Sequence, residues 1–168
     1  MVMGVSGCGK TSVGKLLASY LGYNFIEGDS RHPAANVEKM TSGIALTDDD
    51  RWPWLEMLGD ELASASDLVL SCSALKKSYR DLLRAKAGRP ITFVFLQGTR
   101  TTLVSRMSSR KGHYMPLSLL DSQLAALELP SVERDVMTIE IDQSLERIAS
   151  LAMTNLASLA ARQTRQSN

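Results

Sequence analysis

The sequence predicts an α/β fold, a three-layer arrangement in which a five-stranded parallel sheet is flanked by helices, and three observations carry that prediction. Apolar, β-branched runs alternate along the whole chain with amphipathic runs of helical period. The runs Leu68-Val69-Leu70 and Ile91–Leu96 are continuously apolar, as expected of strands buried on both faces. Residues Gly4-Val5-Ser6-Gly7-Cys8-Gly9-Lys10-Thr11 match the phosphate-binding pattern G-x-x-x-x-G-K-[ST], with apolar Val2-Met3 before them and an amphipathic run after them.

Each element follows from local signals. Strand 1 is Val2–Met3, short against the usual five or six residues, so either the start is trimmed or the strand is stubby. A helix runs from Lys10 to about Tyr20 and ends at Gly22. Tyr23–Glu27 reads as strand 2, and Pro33 opens a helix over 33–42 that Gly43 closes. Thr47 followed by Asp48-Asp49-Asp50 reads as an N-cap and an acidic first turn, with Pro53 marking a kink or the true helix start before a run to about Ala63. Asp67–Cys72 is strand 3, Tyr79–Ala87 a helix, Ile91–Leu96 strand 4, and Thr101–Ser109 a helix. The cation-rich run Arg110-Lys111-Gly112-His113-Tyr114-Met115-Pro116 breaks the periodicity and reads as a loop. A helix over Ser118–Leu127 and a last strand near Val136–Ile141 follow. The final helix, Leu145 to about Arg162, sets Leu145, Ile148, Ala149, Ala152, Leu156 and Leu159 on one face, and Gln163–Asn168 reads as a frayed tail.

Composition bounds the function. The 168 residues suit a single domain, 1–168, with no need of a second. Nineteen Lys and Arg against eighteen Asp and Glu give a net charge of +1, which offers no electrostatic footprint for nucleic acid or a membrane surface. No apolar run approaches a membrane span and no signal segment opens the chain, so a cytoplasmic location is expected. Two cysteines make neither a disulfide framework nor a metal-ligand spacing.

The glycine loop implies a bound nucleoside triphosphate. Its glycines let backbone N–H groups converge on phosphate oxygens, and the helix behind it adds the positive end of its dipole. Gly4, Val5, Ser6, Gly7, Cys8, Gly9, Lys10, Thr11 and the adjoining Ser12 are therefore the candidate ATP-binding residues, with Lys10 reaching the β- and γ-phosphates and the Thr11 hydroxyl on Mg²⁺. Cys8 either lends only its backbone N–H or is a thiol activated by the helix terminus. No Asn-Lys-x-Asp element is present to read guanine, and motor ATPases need a longer chain. A small phosphoryl-transfer kinase fits, with an acceptor pocket beside the nucleotide and a mobile cationic lid at about residues 110–117.

The loops at the strand ends narrow this further. Gly28–Met40, Leu46–Leu55, Cys72–Arg84, Arg110–Met115 and Ser122–Pro130 closely resemble, in order, segments of the gluconate kinases (gluconokinases). The resemblance spans Gly4 to the strand near Ile141. Three departures are Cys8, where serine is usual, Ala45, where proline is usual, and the short strand 1. The resemblance implies an ATP:D-gluconate 6-phosphotransferase of sugar-acid catabolism, with the fold of shikimate and adenylate kinases, commonly a homodimer. The alternatives are a related kinase acting on shikimate, another sugar acid or a nucleoside monophosphate, and a nucleotide-binding regulator without turnover.

On this reading Asp29, just past strand 2, orients the acceptor hydroxyl, takes its proton and faces Mg²⁺. Arg51 anchors the gluconate carboxylate, in competition with an ion pair to an acidic neighbour. His32, Ser73, Lys76, Arg80 and, from the lid, His113 are further acceptor-pocket candidates. Arg106 and Arg110 are four residues apart on one helix face, and as the lid closes Arg106 would touch phosphate while Arg110 would stack near the base or touch phosphate. Gln143, after the last strand, would lie under adenine. Asp48-Asp49-Asp50 favours a helix start over a metal site, because consecutive helical residues point in different directions. Trp52 and Trp54 favour packing over base stacking.

Overall fold

A computed structural model describes residues 1–108 and 116–166, with side chains described as far as 159. Five strands, β1 (Val2–Met3), β2 (Asn24–Glu27), β3 (Leu68–Cys72), β4 (Phe93–Gln97) and β5 (Val136–Glu140), form one parallel sheet in the order β2-β3-β1-β4-β5. The expected short first strand is the central one. Val2 and Met3 pair with Ser71 and Cys72 on one side and with Val94 and Phe95 on the other, so two residues are held from both edges.

The helices are α1 (Lys10–Leu21), α2 (Ala34–Thr41), α3 (Asp48–Ser64), α4 (Lys77–Ala87), α5 (Arg100–Ser108), α6 (Leu117–Ala126) and α7 (Leu145–Gln166). Alternation along the strands divides the core between two faces. Val2, Val69, Val94, Leu96, Met137 and Ile139 pack with Val13, Leu17, Leu103, Leu120, Ile148, Ala149 and Ala152 of α1, α5, α6 and α7. Met3, Leu70, Cys72, Phe93 and Phe95 pack with Trp54, Leu55, Leu58, Leu62, Tyr79 and Leu83 of α3 and α4. This is the three-layer α/β architecture the alternation predicts.

At three places the structure settles an open alternative, corrects an expectation or adds an element. Helix α3 begins at Asp48 and passes through Pro53, because Thr47 and Asp50 form a reciprocal capping box strong enough to start it there. The hydrogen bond that Pro53 cannot donate falls on the exposed Asp49 side of the first turns. Helix α7 continues to Gln166, where a frayed tail is expected from Gln163, since no Gly or Pro interrupts 145–166. A 3₁₀ turn at Gly28–Arg31, not anticipated, joins β2 to the segment before α2.

Candidate active site

The carboxyl ends of β1, β2 and β3 open into a cleft of about 650 Å³. Its donor wall is the glycine loop, contributing Ser6, Gly7, Gly9, Lys10 and Thr11. Gly7 has φ 83°, and a Cβ there would lie 2.9 Å from Met107 Cγ and 3.1 Å from the Leu103 carbonyl, so only glycine lets α5 press against the loop. Helix α1 begins with no side-chain cap, which leaves its first-turn N–H groups to the cleft. Lys10 is buried, and its ammonium donates to the Val5 carbonyl at 3.3 Å. Burial alone would lower its pKa. The electrostatic influence of the neighbouring Cys8, Asp29, Glu27 and Cys72 outweighs burial and raises it above the ordinary lysine value.

Gly4, Val5 and Cys8 form the underside of the loop. All three are buried, and the Cys8 side chain has no exposed surface, which favours the reading in which Cys8 packs and lends its backbone. Ser12 sits exposed in the first turn of α1, away from the cleft wall.

The acceptor wall carries Asp29, His32, Arg51, Ser73 and Lys76. Asp29 is presented by the 3₁₀ turn, which is fixed at Gly28: the Trp54 indole N–H donates to the Gly28 carbonyl at 2.8 Å, and the Gly28 N–H donates to Ser71 Oγ at 3.2 Å. A Cβ on Gly28 would lie 2.0 Å from the Ser71 carbonyl oxygen, so this close approach requires glycine.

His32 stacks on Trp54 with ring centroids 3.9 Å apart and planes 18° from parallel. Burial, reinforced by Arg51 and opposed by Asp29, pushes its pKa down to about 4 and keeps the imidazole neutral. Asn36 Nδ2 lies 3.4 Å from His32 Nδ1 and also donates to the Asp50 carbonyl at 2.7 Å. An amide N–H facing Nδ1 makes that nitrogen the acceptor, so Nε2 carries the proton.

Arg51 makes no ion pair among the described residues, and its guanidinium carbon lies 6.0 Å from the centre of the Tyr79 ring. Two of its acidic neighbours are taken: Asp48 accepts from Lys76 at 2.7 and 2.8 Å and from the Tyr79 hydroxyl at 2.5 Å, while Asp50 accepts from Lys39 at 2.5 Å and caps α3. These partners hold the Asp48 carboxyl below the usual carboxylate range and that of Asp50 at about 2. The acidic triplet is thus a helix start, as its spacing predicts. Lys76 reaches the cleft with its charge shared with Asp48.

Arg80 departs from the expected acceptor role. It has no exposed surface, does not line the cleft, and spends its guanidinium on Glu133 and on the carbonyls of Ala74, Leu75 and Glu128. Ala74 has φ 44°, rare outside glycine, so Arg80 holds a strained turn between Ser73 and Lys76 from below. On the donor side, Arg106 donates to the Ile141 carbonyl, and its Nη1 lies 3.8 Å from where a Gly9 Cβ would sit. Gln143 is tied to its own loop through Glu140 and is not at the cleft wall. Arg110 and His113, with most of the expected lid, lie outside the described residues.

Two residues to which the sequence assigned no role also belong here. Glu27, read only as a strand end, bonds Ser71 through Oε1, while its Oε2 is buried with no partner among the described residues. Gln123, inside a segment already singled out for its resemblance, accepts the Ser6 N–H at 2.7 Å. Glu27 does not line the cleft, and its carboxylate acts on the site through the charge it sets near Lys10. Mg²⁺ keeps most of its water and phosphate ligands and asks little of the protein. Thr11 and Asp29, which both line the cleft, are the residues that fit it.

The shikimate kinase family model matches residues 6–159. The chain is 44% identical over 170 residues to the thermosensitive gluconokinase of Escherichia coli K12, covering 98% of this chain and 89% of that one. It is 49% identical over 143 residues to the gluconokinase of Gluconobacter oxydans 621H, covering 83% and 80%. Among solved structures, a gluconokinase from Sinorhizobium meliloti 1021 superposes with a TM-score of 0.94 at 51% identity, covering 99% of this chain and 95% of that one. A shikimate kinase from Bacteroides thetaiotaomicron, 20% identical with a TM-score of 0.69, shares the fold. With a donor loop facing a carboxylate and an arginine across one cleft, and with these similarities along nearly its full length, the chain belongs to the gluconokinases, within the shikimate kinase family.

Proposed function

We propose that the chain transfers the γ-phosphoryl group of ATP to the 6-hydroxyl of D-gluconate, in sugar-acid catabolism. The observation that carries this is the two-walled cleft, with the phosphate-binding loop and Lys10 on one side and Asp29, His32 and Arg51 on the other. Lys10 and the loop N–H groups hold the triphosphate. Arg51 receives the gluconate carboxylate, and the His32 Nε2–H, Ser73 and Lys76 meet its hydroxyls. Asp29 orients the 6-hydroxyl and takes its proton as the oxygen bonds to Pγ and the Pγ–O bond to ADP breaks. Arg106 and, on the cationic segment, Arg110 balance the charge spread over the transferred group, with His113 meeting the acceptor and Gln143 near adenine. Mg²⁺, which Thr11 and Asp29 would hold, would neutralise charge on the β- and γ-phosphates.

Coupled ADP release across gluconate, other sugar acids, shikimate and nucleoside monophosphates tests the reading. Gluconate should drive release, and shikimate and the monophosphates should not. Release with one of those in place of gluconate would assign the chain to a related kinase, and tight ATP binding with no acceptor-dependent release would make it a regulator. A cytoplasmic homodimer is also proposed, the dimer to be checked by light scattering. No described helix is long and apolar enough to cross a membrane.

A further inference from the structure

The cleft has a third wall. Leu119, Ser122, Gln123 and Ala126 recur at helical spacing, so one face of α6 lines it. Gln123 crosses from that face to the donor loop, where its Oε1 accepts the Ser6 N–H at 2.7 Å. A backbone N–H can only donate, so it fixes which end of the amide is oxygen. The Nε2 end, which has no partner among the described residues, is then left to the cleft beside Ser6.

We propose that Gln123 is a catalytic residue of the donor site, whose Nε2–H donates to an oxygen of the γ-phosphoryl group. The proposal rests on the ATP-binding reading of the loop. Lys10 places the site: its ammonium lies against the Val5 carbonyl, one residue from Ser6, and it is the group that meets the β- and γ-phosphates. Gln123, which lines the cleft and bonds the loop at Ser6, is therefore beside the end of the triphosphate that moves. A neutral donor held in place there binds the phosphoryl oxygens without competing for a proton.

A brace for the loop would need only Oε1, whereas a γ-phosphoryl donor needs Nε2, and two variants separate the roles. Gln123→Glu keeps an acceptor for Ser6 and replaces the donor by an anionic oxygen. Gln123→Ala removes both ends and suits a helix. Thermal melting confirms that each is folded, and titration with ADP and with an imido-bridged ATP analogue reads the contact directly. The expected result is unchanged ADP affinity, analogue affinity weakened about tenfold in Gln123→Ala and further in Gln123→Glu, and turnover lowered by about 10². Wild-type behaviour of either variant, or an equal loss of ADP and analogue affinity, would overturn the proposal. The nucleotide titrations need no acceptor, so they stand or fall independently of whether gluconate is the substrate.

Discussion

Asp29 is exposed to the cleft on a turn that Trp54 and Ser71 hold from beneath, so its side chain can be changed without disturbing its support. Asp29→Asn preserves shape and removes the base. Turnover should fall by about 10²–10⁴ while nucleotide affinity stays near that of the parent, as steady-state kinetics and ADP titration would show. His32 carries a different prediction. Its folded pKa, about 4, lies below the ordinary 6.5, so the unfolded chain binds the extra proton first as pH drops. The stability that neutral His32 contributes is whole above 6.5, declines between 6.5 and about 4, and is lost below. Melting temperatures of wild type and His32→Gln should converge across that window on acidification. The donor loop was legible because its chemistry is written in eight consecutive residues. Gln123 was not, since its bond to Ser6 spans 117 positions. Arg80 was misassigned because a cation after a strand looks the same whether it meets substrate or a buried carboxylate 53 residues away.

Alternation and capping made the elements readable, and the errors fall where two local signals compete. At α3 the Thr47 N-cap argued for a start at Asp48 while Pro53 left a kink or a later start open, and the capping box fixes the start at Asp48. Thr47→Ala should destabilise the fold by about 1 kcal/mol by denaturant titration, in the range measured for lost N-caps. The segment after α6 carried a resemblance as far as Pro130 but gave no element or residue role, because it has no periodicity and serves other elements. Glu128 accepts the Lys77 N–H at 2.6 Å and donates its own N–H to Leu75 at 2.9 Å, and Glu133 pairs with both Arg80 and Arg84. The side chains of Arg80 and Glu133 are 1% and 8% exposed. Glu133→Ala leaves a buried guanidinium short of its counter-charge and should cost about 3–5 kcal/mol. Because the same guanidinium holds Ala74 and Leu75, the variant should also weaken acceptor binding more than nucleotide binding.

The molecule has two apolar cores, but they lie on opposite faces of the same five strands, and Val2 and Met3 contribute one side chain to each. Neither core can open without breaking the sheet the other depends on. Residues 1–168 should therefore unfold in a single calorimetric transition, with van't Hoff and calorimetric enthalpies in agreement. Two resolved transitions would mean that the α3–α4 layer is a separate unit. Ligands extend the test to function. A nucleotide bound only by the folded state at about 100 times its Kd adds about 2.7 kcal/mol, which for a chain of this length raises the melting temperature by roughly 5–10 °C. ADP should shift the whole transition, because the donor loop springs from the central strand and contacts α5 and α6. Gluconate should add a further shift through Asp29, His32 and Arg51, and Arg51→Ala should abolish that second shift while leaving the first intact.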